Sequence, residues 1–325
     1  MDRYENLRRR RVDAGLILNA AEAGLHRSDH IWHGPQPVND VIGTDALTQM
    51  VLQPVSNSLQ QIEQRIDILI AGGFNGHDWT ASCGHYVGEW AEPLFGIKPN
   101  EGEAQLRFGR FERWDGDQIA ETYEIFDLPG MMMQSGVWPG WPGLGKQLDS
   151  PPPATRDGVV LEPGDAEETE KSRQLTEDMI ADLLSYDGQN FSSMKMLDHW
   201  ASDMKWYGPA GIGAMHGYED YKRGHGLPFL GAFPDREGAF HKSRIAERSY
   251  VASTGWPSVQ ATHSGDTFMG VAATNNRVGM RVMDFWRRDG DRLAENWVYI
   301  DIIDLLQQMG VDIFAQMRAL DGKFE

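Results

Sequence analysis

Hydrophobic and polar positions change period several times along the chain, most legibly in its second half. Leu175, Met179, Ile180, Leu183 and Leu184 fall on one helical face, which predicts an amphipathic helix over residues 176–184. A shorter helix is expected over 192–200, carrying Met196, Leu197 and Trp200. Residues 203–207 alternate polar and apolar, the two-residue period of a strand, and Gly208-Pro209 ends the run. A polar–apolar helix is expected over 218–230. Strands are expected over 245–253, from 259 through 263 and beyond, over 277–287 and over 293–302. Residues 288–291 read as a hairpin turn, and 303–309 as the start of a closing helix. Near the start, residues 8–18 read as an amphipathic helix. Asp13, Asn19 and Glu22 break the apolar run there, so it lacks the core of a signal peptide.

The same frame occurs twice. Asp29, Trp32, Gly34, Pro35 and Gly43 reappear as Asp203, Trp206, Gly208, Pro209 and Gly217. Gly96, Asp115-Gly116 and Asp127 reappear as Gly270, Asp289-Gly290 and Asp301, and every pair is 174 residues apart. So long a period marks whole domains rather than a solenoid. The chain is read as a tandem duplication: a first copy over 1–145, a Pro-rich and acidic linker over 146–174, and a second copy over 175–325. Each copy reads as helix, helix, strand, helix, then hairpin-joined strands. That is an α+β layout, a curved and mainly antiparallel sheet with helices on one face and a pocket between them. Met131-Met132-Met133, the Trp-Pro-Gly run over 138–143 and Pro151-Pro152-Pro153 are expected to be irregular, with the Met and Trp side chains packing. The acidic run over 162–170 is expected to be solvated linker. Asp127 and Asp301 stand where they would cap following helices.

Composition narrows the partners. A net charge of −18 makes nucleic acid and anionic membrane poor partners. No apolar run is long enough to span a bilayer. A single cysteine, Cys83, forbids an internal disulfide and suits a reducing cytoplasm. There is no Gly-rich phosphate loop, and no cofactor is expected. His26, His30 and His33 have a spacing that invites a metal. The chain should pass from helix to strand near Asp29, however, and the second-copy equivalents are Trp200, Met204 and Tyr207, so no metal site is expected.

The second copy resembles the SnoaL-like polyketide cyclases (ester cyclases) of the nuclear-transport-factor-like and ketosteroid-isomerase-like superfamily. The resemblance is carried by residues 199–203, Trp206-Tyr207-Gly208-Pro209, Thr262-His263-Ser264-Gly265 and Phe268-Met269-Gly270-Val271. Asp284-Phe285-Trp286-Arg287, Asp289-Gly290 and residues 295–301 complete it. The first copy keeps the frame over 29–35, Gly84-His85 and 112–127. The resemblance implies two cone-shaped α+β barrels, each with an apolar pocket, doing metal-free and cofactor-free acid–base chemistry. It places the catalytic carboxylate at Glu124 in the first copy, where the second has Val298. It places a helper group at Asp284 in the second copy, where the first has Arg110.

From the residues, Thr122, Glu124 and Phe126 share one strand face. If that face lines a pocket, Glu124 would have a raised pKa suited to proton abstraction beside a carbonyl, with Arg110 holding the enolate. The same two residues also read as a buried salt bridge. His33, equivalent to Tyr207, is expected to offer a proton-donating or accepting spot in the pocket. His85 and His263 match between copies through a Thr/Gly-His motif and read first as satisfied structural histidines, with a shared pocket role as the alternative, in which Asp284 would orient His263 as a base dyad. Trp32, Thr122, Trp206, Trp286 and Val298 are expected as further pocket wall.

The expectation is therefore an acid–base enzyme acting on a hydrophobic carbonyl compound, with the first pocket catalytic through Glu124, Arg110 and His33. The rival is a non-catalytic module whose two diverged pockets bind small molecules or a partner chain. The duplication suggests a pseudo-dimeric monomer, or else a homodimer.

Overall fold

The computed structural model describes residues 2–14, 24–100 and 102–321. They form two units: Met1–Trp138 with Pro152–Pro163, and Pro139–Pro151 with Gly164–Glu325. The stretch expected as one linker is thus divided. Pro139–Pro151 packs with the second unit, and Pro152–Pro163 returns to the first, where the Leu69 and Val160 amides bond the Gly158 and Leu69 carbonyls.

In the first unit, α1 (Arg3–Asp13) precedes β1 (His26–His33) and β2 (Asp40–Ile42). A helical stretch follows: α2 (Thr44–Leu47), a π turn (Thr48–Leu52) and α3 (Gln53–Ser58). Then come β3 (Leu59–Phe74), β4 (His77–Trp90), β5 (Glu103–Asp115), β6 (Gln118–Phe126) and α4 (Leu128–Gln134). The six strands form one open sheet in the order β2-β1-β6-β5-β4-β3, antiparallel except for β1 beside β6. Asn75 and Gly76 both take positive φ in the two-residue turn between β3 and β4, which is why an Asn-Gly pair sits there.

The second unit repeats the order. It contains α5 (Ala166–Leu183), α6 (Met196–His199), β7 (Trp200–Tyr207) and β8 (Ala214–His216). Its helical stretch is α7 (Tyr218–Tyr221), a π turn (Lys222–Gly226) and α8 (Leu227–Ala232). The remaining elements are β9 (Glu237–Gly238), β10 (His241–Glu247), β11 (Tyr250–Thr262), β12 (Arg277–Asp289), β13 (Arg292–Ile300), α9 (Ile302–Gln308) and α10 (Ile313–Asp321). The sheet order is β10-β11-β12-β13-β7-β8, with β9 pairing to β11. Both sheets are open and mixed, mainly antiparallel, and neither closes on itself. The 174-residue offset holds element for element for β1/β7, β2/β8, the π turns, β5/β12, β6/β13 and α4/α9.

The Trp-x-Gly of the repeat has a steric cause. A Cβ built on Gly34 would lie 1.8 Å from the Trp32 indole, and one on Gly208 would lie 2.1 Å from that of Trp206. Each indole folds back over the glycine two residues on. Asp127 and Asp301 cap α4 and α9, accepting from the Gly130 and Asp304 amides at 3.1 Å in both cases.

Several elements differ from the sequence reading. The acidic run is not linker. Asp165 accepts from the Glu168 amide at 3.0 Å and starts α5, with Glu167 and Glu168 at the positive end of the helix dipole. Met131–Met133 lie within α4, where Met131 and Met132 are fully buried, because Pro129 is tolerated in a first helical turn. The strand expected over 245–253 spans a hairpin whose turn is Arg248-Ser249. The helix expected over 8–18 begins at Arg3 and ends at Asp13, and its expected last turn falls outside the described residues.

Candidate active site

Strand register fixes which residues share the inward face of each sheet. In the first unit Trp32 lies beside Thr122 on the β1/β6 pair, and Glu124 opposes Arg110, which in turn opposes Ser82. In the second unit the corresponding row is Trp206, Asn296, Val298, Asp284 and Ser253, and Ser253 opposes Arg244 on β10. The correspondences Glu124/Val298, Arg110/Asp284 and His33/Tyr207 read from the sequence are those of the ladders.

In the first interior the described residues engage the candidate carboxylate closely. Arg110 donates through Nη2 and Nε to Glu124 Oε1 at 2.5 and 3.1 Å, and Trp32 Nε1 donates to Oε2 at 2.9 Å. Arg110 also donates to the Tyr86 hydroxyl. Burial pushes the Glu124 carboxyl up, while Arg110 and Trp32 pull it down. Trp32, Tyr86, Phe108, Phe95 and Phe126 occupy the surrounding space, with the Tyr86 and Phe108 rings stacked at 4.7 Å. Beyond them lies a second buried ion pair, Arg11 to Glu112 at 3.3 Å, and Thr80 donates to Glu112 at 2.8 Å. Glu124 is thus half of a salt bridge whose two oxygens already have donors.

Other first-copy candidates are dispersed. His33 follows Trp32 on the strand and so points to the opposite face. It pairs with Asp40 at 2.9 Å and Glu121 at 3.1 Å, stacks on Tyr123 at 4.5 Å, and cannot assist Glu124. Those carboxylates outweigh burial and raise its pKa. Thr122 faces inward but is engaged by His30 at 2.9 Å. His85 lies within 3.3 Å of Asp67, on the face opposite to Tyr86. His26, His30 and His33 all lie on β1, so no helix-to-strand change separates them. Burial and two neighbouring histidines push His30 down to about 2, which keeps it neutral. Among the described residues, no group of three or more His, Cys, Asp or Glu side chains could hold a metal ion.

The second interior holds a cavity of about 250 Å³. Its wall is mostly apolar. Met179, Ile180 and Leu183 come from α5, and Trp206, Trp286 and Val298 from the sheet, three residues expected there. Asp284 reaches into this space. Among the described residues, its hydrogen-bond donor is the Asn296 amide at 3.3 Å. Burial pushes its carboxyl up to about 7, against the weaker opposing pull of Asn296 and Arg244. Arg244 stands two strands away along the same row and acts without contact. Tyr221 lines the cavity with its hydroxyl held protonated by burial and by the nearby Asp284 charge. Arg236 stands at the cavity too, its guanidinium over the Tyr186 ring at 5.0 Å.

Two expectations fail here. His263 does not pair with Asp284. Asp284 opposes Ser253, and His263 lies ten residues beyond that, just past the end of β11, roughly 30 Å along an extended chain. Its Nδ1 is 3.3 Å from the Thr274 hydroxyl, and its ring packs on Phe233. Nor are His85 and His263 equivalent. His85 opposes Arg107, whose counterpart Arg281 faces the interruption of β11 between Gly255 and Val259, so the ladders match His263 with Trp90. Tyr207 points away from the cavity, packed on Trp297 at 5.4 Å.

The sequence reading passed over His225. It sits in the second π turn, stacked on Trp206 at 4.3 Å and near-parallel to Phe229 at 5.6 Å, and it lines the cavity. Burial pushes its pKa down to about 4. Its first-copy counterpart is Val51, so matching histidines between copies could not find it. The available signal was the Gly-His-Gly interruption of the helical pattern, a feature of π turns near sites.

The family model for SnoaL-like polyketide cyclase matches residues 180–309. Among solved structures, the chain is similar to AclR from Streptomyces galilaeus, at 29% identity over 44% of this chain and 86% of that one, with a TM-score of 0.35. It is also similar to IdmH from Streptomyces antibioticus, at 23% identity over 42% and 98% of the two chains, with a TM-score of 0.32. An NTF2-like protein from Burkholderia xenovorans LB400 is 15% identical over 43% and 97%, with a TM-score of 0.33. No curated protein matches the chain. No described helix is long and apolar enough to cross a membrane.

Proposed function

We propose that the second unit, whose residues 180–309 match the family model for SnoaL-like polyketide cyclase, is an acid–base enzyme for hydrophobic carbonyl compounds, with Asp284 as its base. One observation carries the reading. Asp284 is a carboxylate in an apolar cavity, it contacts no cation, and its pKa of about 7 lets it both take and return a proton at neutral pH.

The chemistry balances with side chains alone. The Asp284 carboxylate accepts a proton from the carbon beside a carbonyl, and the C–H electron pair moves into the enolate. The enolate then adds to a second carbonyl carbon, closing a ring as that carbonyl's π pair moves to its oxygen and the alkoxide takes the proton from Asp284, or the enolate takes the proton back from Asp284 at another carbon. The Tyr221 hydroxyl is a donor for the enolate oxygen, and Arg236 supplies positive charge nearby. Trp206, Trp286 and Val298 shape the apolar wall. In the first unit the Arg110–Glu124 pair is structural, and that unit serves as scaffold.

The test is deuterium uptake by 2-tetralone and ethyl benzoylacetate in heavy water, followed by NMR. Asp284→Asn is expected to lower exchange by about 10²–10⁴-fold, while Glu124→Gln keeps it. Because the base must be ionised, wild-type exchange should rise with pH and level off above about pH 7. Loss in Glu124→Gln with retention in Asp284→Asn would return the site to the first unit. No enzymatic exchange in the wild type would favour a binding module.

A further inference from the structure

A second cavity of about 220 Å³ lies in the same unit. Its roof is Trp141, Pro142, Gly143 and Leu144 from the segment Pro139–Pro151, and its floor includes Ile212 and Phe268. His225 is the residue that lines both this cavity and the one holding Asp284.

The roof is built, not draped. The Gly145 and Lys146 amides donate to the Ile212 and Ala214 carbonyls at 3.0 and 2.8 Å, and the Ala214 amide returns a bond to Lys146 at 2.8 Å. Gln147 Oε1 accepts from the Gly211 amide at 2.9 Å. The segment thereby extends the sheet edge at β8. Trp141 lies so close on Gly270 that a Cβ there would fall 1.0 Å from the indole nitrogen. At Gly96, the repeat partner of Gly270, a Cβ would meet nothing within 4 Å. Among the described residues, no such cover lies over Gly96 in the first unit.

Volume and chemistry join the two spaces. Enclosed ligand sites span roughly 300–1,000 Å³. The 250 Å³ cavity at Asp284 falls short of that range by itself, and reaches it with the 220 Å³ beyond His225. His225 Nδ1 is buried without a hydrogen-bond partner. A buried N–H without an acceptor is rarer than an unfilled acceptor, so the proton of the neutral ring belongs on Nε2, which leaves Nε2–H as the donor for a ligand. The ring is held between Trp206 and Phe229, a partition of one side chain's thickness.

We propose that the cavity beneath the Trp141 roof is a second chamber of the Asp284 site and receives an apolar arm of the substrate, with His225 at the junction as the residue that sets substrate length and donates a hydrogen bond to a polar atom there. The inference rests on the proposed function for the identity of the site. The substrate class becomes a carbonyl compound with an elongated apolar extension, larger than one cavity holds.

The experiment is calorimetric binding of n-alkyl phenyl ketones, from acetophenone to decanophenone, to the full chain. In wild type, affinity should rise by up to about fourfold per added methylene and go on rising past the length that fills the first cavity. Ile212→Trp, which fills the second chamber, should stop the rise at a shorter ketone. Trp141→Ala, which removes the roof without inserting bulk, should lower affinity for the long ketones by at least tenfold. His225→Ala should relax the length limit. Identical length profiles in wild type, Ile212→Trp and Trp141→Ala, or no rise in wild type, would overturn the proposal. Binding is read without turnover, so Asp284→Asn separates the two inferences. A length profile retained where exchange is absent even in wild type keeps the chamber and removes the acid–base function.

Discussion

The two units share a frame and differ in what fills it. At matched positions the first has Trp32, Thr122, Glu124, Arg110 and Ser82, and the second has Trp206, Asn296, Val298, Asp284 and Ser253. Both rows hold one carboxylate, but its neighbours differ. Glu124 faces Arg110 across one strand pair and is in hydrogen-bond contact with it. Asp284 faces Val298, and the arginine of its row, Arg244, has moved two strands away to the place of Leu69. The helices above follow suit. α1 turns fully buried Arg8 and Arg11 inward, whereas α5 presents Ser172, Thr176 and Met179. A carboxylate met by cations becomes part of the core. One met by apolar side chains and space keeps room for a ligand. A carboxylate in the right fold is therefore not a sufficient mark of a site; the mark is what stands opposite it.

The comparison can be broken at the salt bridge. Arg110→Ala should destabilise the first unit by about 3–5 kcal/mol in urea denaturation, because Glu124 would be left buried without its cation. Replacing both partners by leucine should cost far less. Equal losses for the single and double variants would mean that the pair does not act as a unit.

Asp284 should behave oppositely. Its folded-state pKa of about 7 lies above the ordinary 3.8, so its contribution to stability is fully present below pH 4 and is lost as pH rises through 7. At about 1.4 kcal/mol per tenfold change in proton affinity, ionising it costs about 4 kcal/mol at most. Asp284→Asn is thus expected to stabilise the protein by about 2–4 kcal/mol at pH 8, with the gain fading towards pH 4. An Asn variant equal to wild type at both pH values would show that Asp284 is well solvated.

The smallest effect tests the shared frame. Asp127→Ala and Asp301→Ala each remove a helix cap worth about 1 kcal/mol. Each carboxylate also has an arginine beside it, Arg107 at Asp127 and Arg281 at Asp301, so the two losses should be similar. Thermal melts of the two variants measure this, and a loss at only one position would show that the frame is not energetically equivalent in the two copies.

What the sequence determined by itself was the frame, because its determinants are local. The fixed offset, the Trp-x-Gly pairs, the Asn75-Gly76 turn and the two Asp caps each depend on residues a few positions apart, and each can be read wherever it occurs. Side-chain alternation likewise put Thr122, Glu124 and Phe126 on one face. Matching residue types without strand register misled: His85 and His263 resemble each other in motif, but the interruption of β11 shifts the ladder between them. Only the tertiary structure revealed the cavity at Asp284. It depends on α5 and on a histidine in a π turn, far apart in sequence and meeting at one place. A cavity is what remains after many distant side chains have packed, and no local period encodes it.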